Sequence, residues 1–443
     1  MNKNNVYFWS FVIALGGFLF GFDTAVISGA EKSIQLYWSL DTPKLGLTVS
    51  IALIGTVLGS LIGGYPADRW GRKNTLIFIA ILYLINALGT AYAPNWYLFL
   101  LFRFLGGVGV GASSVTAPIY ISEISPADRR GRLVVLFQFN VVFGILISYL
   151  SNYLIGKYLG QSSWRLMLGI QAIPSGLFFI LLQFVPESPR WLVNKKGETE
   201  KALSILKLIN PDTANSILED IKQNKTEMGN QAKVPLFSNK YKFPVFLAIM
   251  LAFFNQVSGI NAIIYYAPRI FEMTGLGASS ALLSTVGIGL VNFAFTLLAI
   301  RFIDKLGRRF LMVIGSFGLI ITLALVSLAF YTQHFSLYGV TIYLMVYIAF
   351  FAFSQGAVVW VFISEIFPNQ VRAQGQTLGS TTHWVMAALI AFSFPVITEK
   401  FGGGNTFLFF TIMMVFQLIF AWKIMPETKG KSLEKMDSAM ILH

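Results

Sequence analysis

The 443-residue chain contains no cysteine and only three histidines, His334, His383 and His443. The missing cysteines exclude disulfides, thiol catalysis and cysteine-held metal or iron–sulfur centres. The histidines lie far apart in sequence and form no metal-spaced group. No G-x-x-x-x-G-K-S/T loop is present to cradle a nucleotide phosphate. ATP-driven transport therefore has no motor here, and no nucleophile–base set supports a hydrolase or transferase, so neither an enzyme nor a cofactor is expected. Charge is scarce as well, at 12% of residues, about half of what a soluble globular chain carries. Against these deficits stand 55% hydrophobic residues, 15% aromatic residues and a mean hydropathy of +0.67. A soluble protein could not cover so much apolar side chain with so few charges, and lipid is the natural solvent for such a surface.

Apolar stretches long enough to cross a bilayer run near 6–28, 46–66, 75–93, 97–121, 132–156, 165–185, 243–272, 279–303, 309–330, 338–364, 372–399 and 405–425. Twelve spans are thus expected. The first lacks the small-residue cleavage pattern of a signal peptide and reads as a true span. An even number of spans puts both termini on one side. With the termini inside, most of the 33 Lys and Arg fall on cytoplasmic loops, as the positive-inside rule requires. The +13 net charge is then topological, and no nucleic-acid partner is expected. Outer loops are short and carry no N-x-S/T sequon, which fits a bacterial inner membrane. The long polar stretch 186–242 contains helix-like pieces at Glu198–Ile209 and Thr213–Lys222.

The chain repeats itself. Asp68-Arg69-Trp70-Gly71-Arg72 pairs with Asp304-Lys305-Leu306-Gly307-Arg308, Ser122-Glu123-Ile124 with Ser364-Glu365-Ile366, and Pro186-Glu187-Ser188 with Pro426-Glu427-Thr428, at offsets of 236, 242 and 240 residues. A six-span unit is used twice. The division expected is a first six-helix bundle over 1–185, a cytoplasmic helical linker over 186–242, a second bundle over 243–425 and a tail over 426–443. Six-helix halves facing each other across a central path are the plan of a rocker-type transporter, with substrate bound near the midplane. The run Gly106-Gly107-Val108-Gly109-Val110-Gly111 imitates a dinucleotide fingerprint but lies inside a span, where tight helix packing explains it better.

With these motifs, the chain resembles the sugar porter branch of the major facilitator superfamily. The resemblance rests on the Gly16–Ala30 segment, both D-x-x-G-R motifs, PESPRWL at 186–192, NQVSGINAIIYYAP at 255–268 and PETKGKSLE at 426–434. It covers essentially the whole chain. It implies an all-α membrane protein with twelve transmembrane helices in two bundles, a monomer carrying a monosaccharide by alternating access. The implied cargo is a hexose or pentose moved with a proton. A facilitative uniporter and a non-transporting sugar sensor are the alternatives.

Three groups of residues are candidates for function. Asp23 and Arg103 are ionisable residues inside spans, where a charge costs about 2.5–3.5 kcal/mol on insertion scales. They form either a structural pair or a proton switch. Proton-coupled members of the family resemble this chain in carrying an acid in the first span; some also carry Glu where this chain has Gln171. A sugar needs neutral hydrogen-bond partners and aromatic faces. The candidates are Phe20, Gln138, Asn255, Gln256, Asn261, Tyr265, Asn292, Trp360, His383 and Trp384. Here Asn255 stands where relatives often have Gln, Ile145 where a xylose-type porter has Gln, and His383 where Gln or Asn is usual. A gate at the cytoplasmic face is expected from Asp68, Arg69, Arg72, Glu123, Arg132, Glu187, Arg190, Asp304, Arg308, Arg309, Glu365 and Arg372, weaker in the second half because Arg372-Ala373-Gln374 replaces Arg130-Gly131-Arg132.

Overall fold

The computed structural model describes residues 3–126, 129–160, 163–229, 235–335, 338–368 and 370–429. The expected tail beyond residue 429, with His443, lies outside the described residues. Every regular element among the described residues is helical, as lipid requires, because a helix satisfies its own backbone polar groups.

Among the described residues, eleven helical stretches are long and apolar enough to cross a membrane: Asn5–Tyr37, Thr42–Ile62, Arg72–Tyr92, Trp96–Ile124, Arg130–Leu159, Trp164–Leu182, Asn239–Met273, Ala278–Leu306, Arg308–Thr332, Gly339–Glu365 and Arg372–Lys423. The last has 52 residues and breaks at Gly402, whose φ is 79°. It therefore holds the eleventh and twelfth expected spans end to end. Three other spans are interrupted, the sixth at Ile170-Gln171, between the helices Trp164–Gly169 and Ala172–Leu182. The seventh breaks at Ser258-Gly259, where Gly259 has φ 86° and a Cβ would come within 2.6 Å of the Phe410 ring, so only glycine fits. The tenth breaks at Ser354, between the helices Gly339–Phe353 and Gln355–Glu365.

The first helix continues to Tyr37, well past the apolar stretch that ends near residue 28. Glu31 and Lys32 thus lie on a helix rather than in an outer loop. Between the sixth and seventh spans stand the helices Thr199–Ile209 and Ala214–Gly229. The first is amphipathic, burying Ala202, Ile205, Leu206 and Ile209 at the i, i+3, i+4, i+7 spacing of one helical face.

By contact, the chain divides into two compact units. One comprises Met1–Thr24, Gly55–Ser148 and Arg165–Lys233; the other comprises Ala25–Ile54, Tyr149–Trp164 and Val234–His443. This division differs from the sequence repeat in grouping the ends of the first, second and fifth spans with the second half. Within that second unit, Asn152 donates to the Val26 carbonyl at 3.0 Å, Tyr149 to that of Ile264 at 2.8 Å, and Gly46 leaves no room for a Cβ against the Phe392 carbonyl, 2.3 Å away.

Candidate functional site

In the second unit, the break at Gly259 separates Asn255 and Gln256 from Asn261, and the interrupted helix turns all three amides toward one another. Asn261 donates to Gln256 Oε1 at 2.6 Å, and Gln256 Nε2 donates to Asn255 Oδ1 at 2.8 Å. The same Nε2 stands 3.2 Å from both ring nitrogens of His383. Because Gln256 spends both of its N–H groups this way, His383 must present an unprotonated nitrogen to it. Beyond these contacts, the His383 ring, Asn255 Nδ2 and Asn261 Oδ1 make no hydrogen bond among the described residues. These are the groups a sugar hydroxyl can meet. His383 itself packs between Trp360 and Trp384, with ring centroids 4.8 and 4.7 Å away. The structure thus brings Asn255, Gln256, Asn261, Trp360, His383 and Trp384 together. Tyr265 is buried one turn beyond Asn261; Asn292 is buried on the eighth span and makes no hydrogen bond to this network. Phe20 and Gln138 belong to the first unit and are half-buried there, the Phe20 ring 6.5 Å from that of Phe137.

Also in the first unit, Arg103 Nη1 donates to Asp23 Oδ1 at 2.9 Å, the side chains being 1% and 2% exposed. Asn86 Nδ2, which sequence reasoning missed, donates to the same oxygen at 2.6 Å and lies 3.5 Å from Gln171 Oε1. Gly106 makes room for it, since a Cβ there would stand 2.5 Å from the Asn86 amide; the glycine-rich run is indeed a packing device. Both donors converge on Oδ1, leaving Oδ2 without a hydrogen bond among the described residues. That oxygen can take a proton while Asn86 keeps its bond.

The two motif-bearing ends form two clamps of one design. Arg72 reaches Glu123 through Nε and Nη2 at 3.0 and 3.1 Å and Asp68 through Nη1 at 2.9 Å. Arg308 reaches Glu365 at 3.1 and 2.7 Å and Asp304 at 3.0 Å. The glycines before them have φ 100° and 93°. A Cβ there would strike the carboxylates of Glu187 and Glu427, 2.1 and 2.6 Å away. Those carboxylates accept the Arg72 and Arg308 backbone N–H groups, each at 2.9 Å. Burial pushes the Glu187 carboxyl above its usual range. At Glu427 burial pushes the same way, but bonds from the backbone N–H groups of Lys429, Arg308, Arg309 and Thr428 outweigh it and the carboxyl sits below that range.

Five arginines expected in the gate make no ion pair among the described residues. Arg69 bonds Tyr65 Oη at 3.0 Å, Arg309 the Trp422 carbonyl and Arg372 that of Phe367 at 3.2 Å, while Arg132 and Arg190 are exposed. Each clamp is built within one unit, around a single arginine. A further charged group was also missed: Arg269 on the seventh span binds Glu31 on the first. The apolar count ended before Glu31, and its only sequence signal was the order of charges, Glu31-Lys32 against Arg269 and Glu272.

The sugar (and other) transporter family matches residues 9–440. The D-xylose-proton symporter of Escherichia coli K12 is 35% identical over 99% of this chain and 96% of its own length. The D-xylose transporter of Levilactobacillus brevis is 37% identical over 99% and 97%. The inward-open structure of the E. coli xylose transporter XylE superposes with a TM-score of 0.87 at 34% identity, over 98% of this chain and 99% of that one. Matches over this much sequence and structure identify a membrane transport protein of twelve helical spans. The chain belongs to the sugar transporter family, the sugar porter branch of the major facilitator superfamily.

Proposed function

We propose that the chain carries a monosaccharide, in the first place a pentose such as D-xylose, inward with a proton by alternating access. It acts as a monomer in a bacterial inner membrane with both termini cytoplasmic. The sugar sits against Gln256, Asn255, Asn261 and His383, with Trp360 and Trp384 beside the imidazole and Tyr265 and Asn292 supplying further contacts. The two bundles of the sequence repeat move against each other, and the clamps at Arg72 and Arg308 stiffen the cytoplasmic end of each.

The observation that carries proton coupling is the buried Asp23–Arg103 pair with one carboxylate oxygen uncommitted. Protonation at Oδ2 cancels the attraction to Arg103, so the pair can part without leaving a bare carboxylate in lipid. Each charge carried inward gains about 2.3 kcal/mol per 100 mV of membrane potential, enough for roughly fiftyfold accumulation. In proteoliposomes given labelled pentoses and hexoses, Asp23→Asn should abolish gradient-driven accumulation while counterflow survives. Continued accumulation by the variant removes Asp23 from the coupling step. A wild type that never concentrates any sugar under a pH gradient makes the protein a facilitator.

A further inference from the structure

Glu31 is the buried ion-pair carboxylate that neither the sugar site nor the proton switch uses. It lies on the first span, 1% exposed, and binds Arg269 of the seventh span through both oxygens, Nε to Oε1 at 2.8 Å and Nη2 to Oε2 at 2.6 Å. The same Nη2 reaches Gln35 Oε1, one turn further along the first span, at 2.7 Å. One turn further along the seventh span, Glu272 takes Lys32, so a second pair of opposite polarity lies beside the first. Glu31 and Lys32 on one helix thus meet Arg269 and Glu272 on the other, and a slip in register would bring like charges together. Tyr266, buried on the same turn as Arg269, donates to the Ala391 carbonyl at 2.9 Å rather than to Glu31.

We propose that Glu31 and Arg269 form a latch that holds the first and seventh spans together at the end opposite the clamps, and that parting this pair is a step of the transport cycle. The latch lies within the compact unit that groups Ala25–Ile54 with the second half, although by sequence repeat that segment belongs to the first. A fork-to-fork arginine–carboxylate contact is short, directional and strong when water is excluded. It is also all-or-none, because separation by a few ångströms lets water to both charges and removes most of the attraction. Lys32–Glu272, with Lys32 half-exposed, sets register and adds little strength. The latch is a positioning device acting through helix placement; it touches neither sugar nor Asp23.

The inference rests on alternating access, and its test separates the two. The chain lacks cysteine, so paired spin labels can be placed through cysteines at Leu36 and Met273, exposed residues on the two latched helices. Pulsed electron–electron resonance in liposomes then reads the distance with and without D-xylose. Glu31→Gln and Arg269→Gln should each lower the closed-to-open ratio at least roughly tenfold, as expected when one partner of a buried pair is removed. The charge-exchanged double variant, Glu31→Arg with Arg269→Glu, should restore most of it. Arg269→Lys, which keeps the charge and loses the fork, should fall between and remains informative if a glutamine variant does not fold. Unchanged distributions in the single variants, or an exchanged pair no better than either of them, overturn the latch. A distance that never responds to sugar in any protein, wild type included, overturns alternating access at this face instead.

Discussion

The two clamps share a plan and differ in how much water their acids see. Glu123 is 12% exposed against 26% for Glu365, and Asp68 60% against 79% for Asp304, while the arginines run the other way, Arg72 at 13% and Arg308 at 8%. The second clamp has a reinforcement the first lacks: Thr428 donates to Glu365 Oε2 at 2.6 Å. Its counterpart by repeat, Ser188, instead accepts from the Trp191 backbone N–H at 3.2 Å and caps the short turn that follows. Duplication kept the arginine, the glycine and the two acids, while local backbone redirected one hydroxyl. The acid of the wetter clamp acquired an extra bond from a neutral donor, while among the described residues Glu123 of the drier one is held by Arg72 alone.

That difference predicts unequal damage. Arg72→Ala strands Glu123 in a dry site and should cost about 3–5 kcal/mol, the usual loss when one partner of a buried pair is removed. Arg308→Ala leaves Glu365 wetter and still bonded by Thr428, so about 1–3 kcal/mol is expected. Thermal unfolding of the two purified variants in one detergent decides the matter. Equal losses, or a larger loss for Arg308→Ala, would erase the distinction between the clamps.

Much of this was legible in the sequence, for physical reasons. Span-length apolar stretches follow from bilayer thickness, and an acid and an arginine inside them had to find each other, as Asp23 and Arg103 did. The clamps were announced by motifs repeating at nearly one offset, and the break near Gly402 by one apolar stretch ending near 399 and the next starting near 405. Asn86 gave no signal, because one neutral amide in an apolar span resembles any other until a carboxylate is seen beside it. Glu31 was hidden because the first helix continues past its apolar stretch, where hydropathy sees only a loop; Arg269 lay inside the 243–272 stretch, but its partner is 238 residues away. Motif proximity placed Arg69, Arg132, Arg190, Arg309 and Arg372 at one face but gave no side-chain geometry; among the described residues, acids stand within ion-pair distance of Arg72 and Arg308 and of none of these five.

A smaller effect isolates the extra bond. Thr428→Val keeps the shape of the side chain and removes its donor to Glu365. Loss of one hydrogen bond to a carboxylate that keeps its arginine should cost about 1 kcal/mol. In the Arg308→Ala background the same substitution should cost more, since Thr428 is then the remaining side-chain donor to Glu365. A double-mutant cycle on unfolding midpoints measures the coupling. Strict additivity would mean that the hydroxyl does nothing for the clamp.

The smallest effect is a difference of sign. Glu187 and Glu427 occupy matching positions, yet burial raises the first carboxyl and backbone N–H donors lower the second. A raised carboxyl contributes stability below its ordinary value of 4.5 and loses that contribution as pH rises through the folded value. A lowered one contributes above 4.5 and loses its contribution as pH falls through the folded value. Replacing each by glutamine removes the titration. Relative to wild type, Glu187→Gln should therefore gain stability between pH 4 and pH 7, and Glu427→Gln should lose it over the same interval. Each change should be on the order of 1 kcal/mol or less, because water reaches both sites in part. Unfolding midpoints of the three proteins across that interval give the two slopes. Slopes of the same sign would show that the two carboxylates, despite their unequal burial, sit in equivalent environments.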